Sequence, residues 1–443
     1  MVKPTKGKNG RLNNVSANAR LNLTIFGQFP DNTRLILFAT FFAGLAGGIN
    51  EVNFTYYLLS MGFKEIFVAT LASLGALTAA FVSIPLGLLV DRIGRKRSIA
   101  IAQSLALPMF LLQVFLPLSP IILTASVIAT MAGTIHGLSE GPLLVESTED
   151  TKRVTILSMV TMSNLAAVII GNFLGGKITA LASFFFHIPL ESMWAYRTSF
   201  ICATIISIIS ISFYLRLKPV PISATKRIET KNPLKKLFSN VESPGFIWRL
   251  LVGQLLIGFG AGFTVPLFAL YFRKVFNATA DQWGTIVSIA KFPMFFGVYI
   301  SPKVARKFGS LRTVLACQYI SIPFLLMTLF APNIAIAGIG FGIRHALMNM
   351  TGPIWSGFYM SILKPCELST ASSFLTVVWN IANSTGTRIG GGMLEAGYHA
   401  YNFYITAATY LTASTFYFFS FRKYEPWPFK RKIVQQISSD END

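Results

Sequence analysis

Apolar runs of about 20 residues recur along this chain, each closed by a short polar break, and this rhythm limits the possible fold more than any other feature. A run of that length spans the hydrocarbon core of a bilayer, where a helix satisfies all of its own backbone N–H and C=O groups. Twelve helices are read over residues 34–59, 65–91, 97–117, 120–146, 155–185, 193–215, 247–272, 281–305, 311–330, 333–362, 367–395 and 400–421. Breaks such as Leu118-Ser119-Pro120 and Ala331-Pro332-Asn333 are tight turns with no room for a folded domain. Of the 443 residues, 53% are hydrophobic and only 13% are charged. A soluble chain carries about 25% charged residues, so most of this surface is solvated by lipid. The expectation is an all-α integral membrane protein.

A formal net charge of +20 raises nucleic acid as a partner, but the basic residues are not gathered into one domain with interleaved aromatics, and that class is set aside. They fall instead in alternate loops. One set holds Arg92 to Arg97, Lys152, Arg153, residues 216–245, Lys303 to Arg312, Lys364 and both ends; the other holds chiefly Lys64, Arg197, Arg273 and Lys274. The positive-inside bias then makes both termini cytoplasmic, in the plasma (cell inner) membrane. The organisation read from this is a basic tail over 1–33 without a signal-peptide pattern, a six-helix half over 34–215, and a basic linker over 216–245. A second six-helix half follows over 246–422, then a tail over 423–443.

One polar stretch stands out, Gly87-Leu88-Leu89-Val90-Asp91-Arg92-Ile93-Gly94-Arg95-Lys96-Arg97. A shift of 215 residues lays Gly94 on Gly309, inside the degenerate copy Lys303 to Arg312. The same shift lays Gly171, Gly175 and Gly176 on Gly386, Gly390 and Gly391, and Ala46, Gly47 and Tyr56 on Ala261, Gly262 and Tyr271. Gly141-Pro142 meets Gly352-Pro353 only at a shift of 211, so helices 4 and 10 have diverged. One offset serving separated sites describes two parallel six-helix pseudo-repeats.

The pattern G-x-L-x-D-R-x-G-R-K-R resembles the loop between helices 2 and 3 of major facilitator superfamily (MFS) transporters. The resemblance implies the MFS fold, rocking of one half on the other and a substrate site near the midplane between them. It also implies that Gly87, Asp91, Arg92, Gly94 and Arg95 form a gate, with Asp91 facing the positive start of helix 11 and Arg92 facing an acid at the end of helix 4, for which Glu146 and Glu149 are placed. The glycine motifs of helices 5 and 11 resemble the G-P-x-x-G-G of the family's antiporters, with Asn172 and Thr387 where proline would stand. Packing is the favoured reading for them.

Ionisable residues inside the spans are few, and each needs a reason to be there. Glu51, beside Asn50 on helix 1, is the first choice for a proton or cation site, because a carboxylate near mid-helix is costly to ionise in a lipid-solvated segment. His136 and Glu140 share a face of helix 4 at a spacing of i, i+4 and are read as a second proton-handling pair. In the other half Lys291, Arg344, His345 and Trp355 are candidate substrate contacts, and a cation there would balance Glu51 and Glu140 across the cavity. Lys177 and Arg388 are read as snorkelling outward.

Cys202, Cys317 and Cys366 make no metal spacing, and no metal or cofactor is expected. No phosphate-binding loop or soluble catalytic grouping is found, which excludes an ATP-driven pump within this chain and sets enzymes aside. The expected activity is proton-coupled movement of a small organic solute by a monomer among membrane lipids. Export of an amphipathic compound is favoured by the aromatic and Met content, and uptake of an anionic nutrient or sugar is the alternative. A sensor or scaffold built on the same fold is the alternative of another class.

Overall fold

The backbone of a lipid-solvated chain must satisfy itself, and this one does so in helices. The computed structural model describes residues 31–148, 153–218 and 242–425. Within them lie twelve long helices: α1 (Asp31–Ser60), α2 (Glu65–Ile93), α3 (Arg95–Phe115), α4 (Ser119–Glu146), α5 (Arg153–Phe186), α6 (Met193–Leu215), α7 (Pro244–Phe276), α8 (Ala280–Phe308), α9 (Ser310–Leu329), α10 (Ile334–Met360), α11 (Pro365–Glu395) and α12 (His399–Phe421). Their ends fall within a few residues of the expected spans. Inside α7 a short 3-10 turn, Val265–Leu267, forms around Pro266, whose ring removes a backbone donor.

Among the described residues, eight of the twelve, α1 to α7 and α9, are long and apolar enough to cross a membrane by length and composition. Of the other four, α8 carries Asp281 and Lys291, and α11 is rich in Ser, Thr, Asn and Gly. Such helices turn a polar stripe away from lipid, towards neighbours or a cavity.

The packing repeats between halves. In the first half α1 packs on α5 and α6, α2 on α4, and α3 on α4; in the second α7 packs on α11 and α12, α8 on α10, and α9 on α10. The halves meet where α2 packs on α11 and α5 packs on α8. These two contacts are related by the same pseudo-symmetry.

Close helix approach shows the repeat at atomic scale and corrects its register. A Cβ on Gly48 would lie 2.5 Å from Val168 O and 2.8 Å from Asn172 N, and Gly262 sits in the same way against Asn383 and Thr387. Gly47 has nothing within 4 Å. The partner of Gly262 is therefore Gly48, and the offset between α1 and α7 is 214 residues. Tyr57 confirms the slip: its hydroxyl donates to Val114 O as that of Tyr271 donates to Thr328 O at 3.1 Å, so Tyr57 and not Tyr56 matches Tyr271.

The apolar cores show how the halves are joined. One core runs across both, from Val52, Tyr57 and Phe200 to Phe272, Trp283 and Phe341, at the face away from the described chain ends. At the opposite face, which carries Gly94 and Gly309, the cores are separate: Ile36, Leu143 and Tyr214 in one half, Leu250, Leu315 and Phe421 in the other. The first is called here the closed face and the second the basic face. Two halves fused at one face and separately cored at the other leave a cleft that opens towards the basic face.

Gly48→Ala is expected to lower the thermal unfolding midpoint, by overpacking worth about 1–3 kcal/mol, while Gly47→Ala stays within about 0.5 kcal/mol of wild type. Thermal unfolding of the two detergent-solubilised variants checks both.

Candidate functional site

Gly48 lets α1 lie directly on α5, and less than one turn further along α1 stands Glu51. On α8, Gly284, Ser288 and Lys291 fall on one stripe. Gly284 abuts Asn172 O, at 2.5 Å for an added Cβ, and Ser288 donates to Ile169 O at 3.0 Å. That stripe carries Lys291 to the junction of α1, α5 and α8. Its Nζ lies 2.7 and 2.6 Å from the two carboxylate oxygens of Glu51. In the side-chain amide orientation that satisfies both neighbours, with O and N exchanged, Asn172 donates to Gly48 O at 2.9 Å and accepts from Lys291 Nζ at 3.2 Å. Asn172 is fully buried.

Glu51 and Lys291 stand nine and eleven residues from the closed-face ends of their helices, about 14 and 16 Å, close to half the hydrocarbon thickness. The side chain of Lys291 is 13% exposed and that of Glu51 48%. The ammonium is therefore held inside while the carboxylate edge faces the cleft. With its carboxylate half exposed, the pair stands between surface pairs, worth about 0–1 kcal/mol, and buried pairs, where removing one partner costs about 3–5 kcal/mol. Asn172 was noted in the sequence only as the residue standing where proline would; its role as a lysine acceptor was not foreseen.

Glu140 forms a second and separate cluster. Its Oε1 accepts from Thr40 Oγ1 at 2.6 Å and from Tyr214 OH at 2.5 Å. His136 stands edge-on to the Tyr214 ring at 5.1 Å, with its Nε2 buried and unpartnered. The pairing of His136 with Glu140 on one face is present, yet Thr40 lies eleven residues from Glu51, about 16 Å along α1. The structure does not bring these candidates to the Glu51 site.

In the second half Arg344 is 2% exposed. Its Nη2 donates to Tyr410 OH at 2.8 Å, and the guanidinium lies over the rings of Phe268 and Tyr410 at 5.5 and 5.7 Å. That places it against α7 and α12 rather than at the seam. His345 packs on Phe341. Trp355 sits in an aromatic cluster with Phe358, Tyr417 and Phe421 towards the basic face. Asn50 has its Oδ1 buried without a partner.

The gate residues are arranged differently from the resemblance. The expected polar loop shrinks to one residue, Gly94, with φ +91°, and Asp91, Arg92 and Arg95 stand on the helix ends around it. Arg95, not Arg92, pairs with Glu146, at 2.6 Å. It starts α3, which packs on α4, so it reaches the end of α4 directly. Asp91 and Arg92 are exposed and make no ion pair among the described residues. Glu149 lies outside the described residues. Gly87 makes only ordinary contact, with Leu138 at 4.0 Å.

At the closed face, four further ion pairs cross between halves: Lys64 with Glu395 at 3.5 Å, Lys177 with Asp281 at 2.9 Å, Lys274 with Glu65 at 3.0 Å, and Arg273 with Glu191. Lys177 thus bridges the halves instead of snorkelling; Arg388 is exposed. Ser73 and Ser384 exchange hydrogen bonds across the α2–α11 contact, at 3.0 and 2.9 Å. Exposed pairs contribute about 0–1 kcal/mol each, so the shared apolar core closes this face and the ion pairs fix its register.

Two pseudo-symmetric six-helix bundles meeting at a charged seam define a polytopic membrane protein of the transporter class. The Major Facilitator Superfamily model matches residues 36–387, and the chain belongs to that family. The multi-drug resistance efflux pump PmrA of Streptococcus pneumoniae serotype 4 is 24% identical over 408 residues, covering 89% of this chain and 97% of PmrA. Among solved structures, the nucleoside transporter NupG superposes with a TM-score of 0.71 at 14% identity, over 88% of this chain and 99% of NupG. The fucose:proton symporter FucP of E. coli superposes with 0.58 at 14% identity, over 88% and 98%.

In double-mutant cycles on thermal stability, Lys177→Ala with Asp281→Ala is expected to show a coupling below about 1 kcal/mol, and Glu51→Ala with Lys291→Ala a clearly larger one. Equal couplings would show that the two pairs share one environment.

Proposed function

We propose that the chain is a proton-coupled secondary transporter of the plasma membrane that exports an amphipathic organic compound, with Glu51 and Lys291 as its coupling pair. The observation that carries this reading is the ion pair itself, made by one residue from each half at mid-depth in the cleft. Opening the closed face separates α5 from α8 and so pulls Lys291 away from Glu51 and Asn172. An ionised Glu51 and a bare Lys291 would oppose that step, and protonation of the carboxylate or arrival of a substrate cation in place of Lys291 relieves it. A transporter whose central pair opens only when something else neutralises Glu51 is coupled by construction.

The basic face is read as cytoplasmic from its Lys and Arg, which makes this arrangement inward-open. Asp91 and Arg92, exposed and without an ion pair among the described residues, are compatible with that state. The relationship to PmrA supports export, and the likeness to FucP supports proton coupling. Small-molecule substrate, protons and surrounding lipid suffice as partners, because one chain supplies both sides of the seam.

In proteoliposomes with an imposed pH gradient, wild-type protein is expected to accumulate at least one member of a panel of amphipathic cations. Glu51→Gln should lose gradient-driven accumulation while retaining counterflow exchange. Unchanged pH dependence in Glu51→Gln removes Glu51 from coupling. Absence of counterflow with every compound tested favours a sensor, and gradient-driven movement of organic anions alone favours nutrient uptake.

A further inference from the structure

The acceptors that hold Lys291 all belong to the first half. Glu51 stands on α1 and Asn172 on α5, and these two helices are locked together around them. Asn53, fully buried, donates to Gly175 O at 3.0 Å and accepts from Thr179 Oγ1 at 3.0 Å, and a Cβ on Gly175 would lie 2.9 Å from Ile49 Cα. With its amide oriented to satisfy both neighbours, Asn172 donates to Gly48 O at 2.9 Å and turns its oxygen to Lys291. The Nζ of Lys291 thus meets three oxygens, at 2.7, 2.6 and 3.2 Å, one for each N–H group of a primary ammonium. Two of the three belong to one carboxylate, which adds the opposite charge. The Glu51 side chain is 48% exposed. One turn before it on the same face of α1, Gly47 has nothing within 4 Å of an added Cβ, so space for a ligand body lies beside the carboxylate.

We propose that Glu51 and Asn172 form a cradle for a primary ammonium, that Lys291 is its resident occupant, and that the exported compound carries a protonated primary amine which takes the place of Lys291. The proposal rests on the export reading above and narrows its substrate class. Lys291 reaches the cradle from the second half, so rocking withdraws it while the three oxygens stay together on the first. An incoming primary ammonium reproduces its charge and its three hydrogen bonds, and so frees Lys291 to leave with α8. A quaternary ammonium balances the charge of Glu51 but carries no N–H. It leaves the buried oxygen of Asn172 without a donor, and such ligands are better suited to aromatic faces. The site therefore discriminates between cations of equal charge by the number of N–H groups they bring.

The test is calorimetric titration of the full chain in detergent at neutral pH with naphthylethylamine and its N-methyl, N,N-dimethyl and N,N,N-trimethyl derivatives, all of them cations there. Wild-type affinity is expected to fall along the series, by about tenfold or more from the primary to the quaternary member. Each added methyl group makes the ligand more apolar, so hydrophobic burial would act in the opposite direction. Lys291→Met, which removes the resident ammonium and keeps its stem, should bind the primary amine more tightly than wild type and widen that ratio; loss of a positive charge alone would tighten the whole series alike. Asn172→Ala should narrow the ratio, and if that variant does not fold, the wild-type and Lys291→Met series decide. A quaternary member that binds wild type as tightly as the primary one, or an equal gain for the whole series in Lys291→Met, overturns the cradle, as does absence of primary-amine binding in both proteins. The coupling reading has its own readout. If the ratio is flat while Glu51→Gln still loses gradient-driven accumulation, the amine assignment falls and coupling stands. If the ratio holds while Glu51→Gln keeps the wild-type pH dependence, coupling falls and the cradle stands.

Discussion

A charge inside a lipid-solvated bundle has to be answered by another group, and here the answer comes from across the seam. Lys291 belongs to the second half, but its acceptors, Glu51 and Asn172, belong to the first. The consequence reaches through the whole molecule. α8 must lie on α5 to deliver the ammonium, which requires Gly284 and Ser288 on its contact stripe, and α1 must lie on α5 to deliver the carboxylate, which requires Gly48. The shared apolar core around Val52, Phe272 and Trp283 then follows as the packing that this approach allows.

The halves share a scaffold but not a chemistry. Helix contacts, glycine approaches and the two carbonyl-binding tyrosines repeat almost residue for residue. The buried charges do not: the first half places an acid, Glu140, on α4, and the second a base, Arg344, on α10. Each hydrogen-bonds a tyrosine from the last helix of its own half, Tyr214 or Tyr410. A phenol donates to a carboxylate and accepts from a guanidinium, so one residue type can answer either charge.

Much of this was legible in the sequence, and what was missed has physical reasons. Hydropathy gave the spans, because lipid leaves a chain little choice, and Glu51 and Lys291 were singled out as expensive charges that could balance one another. Their partner Asn172 was seen only as a missing proline, since an amide's role depends on which helix faces it. The repeat was aligned one residue out in α1, where adjacent glycines, Gly47 and Gly48, look alike until one is found against a backbone. Lys177 was read as reaching for water because Asp281 stands 104 residues away and only the fold joins them. Arg92 and Arg95 are three residues apart and chemically alike, and the direction of a helix end decided which one met Glu146.

The single-residue connections have their own consequence. α2 passes into α3 through Gly94 alone and α8 into α9 through Gly309 alone, both at positive φ that other residues seldom adopt. With one residue between them, neither helix of a pair has slack to shift without its neighbour. α2 and α8 are also among the helices that touch the opposite half. Displacement at the seam is therefore carried without backlash to α3 and α9 on the flanks, and each hairpin acts as a rigid crank that delivers movement in the bundle centre to the surface in contact with lipid.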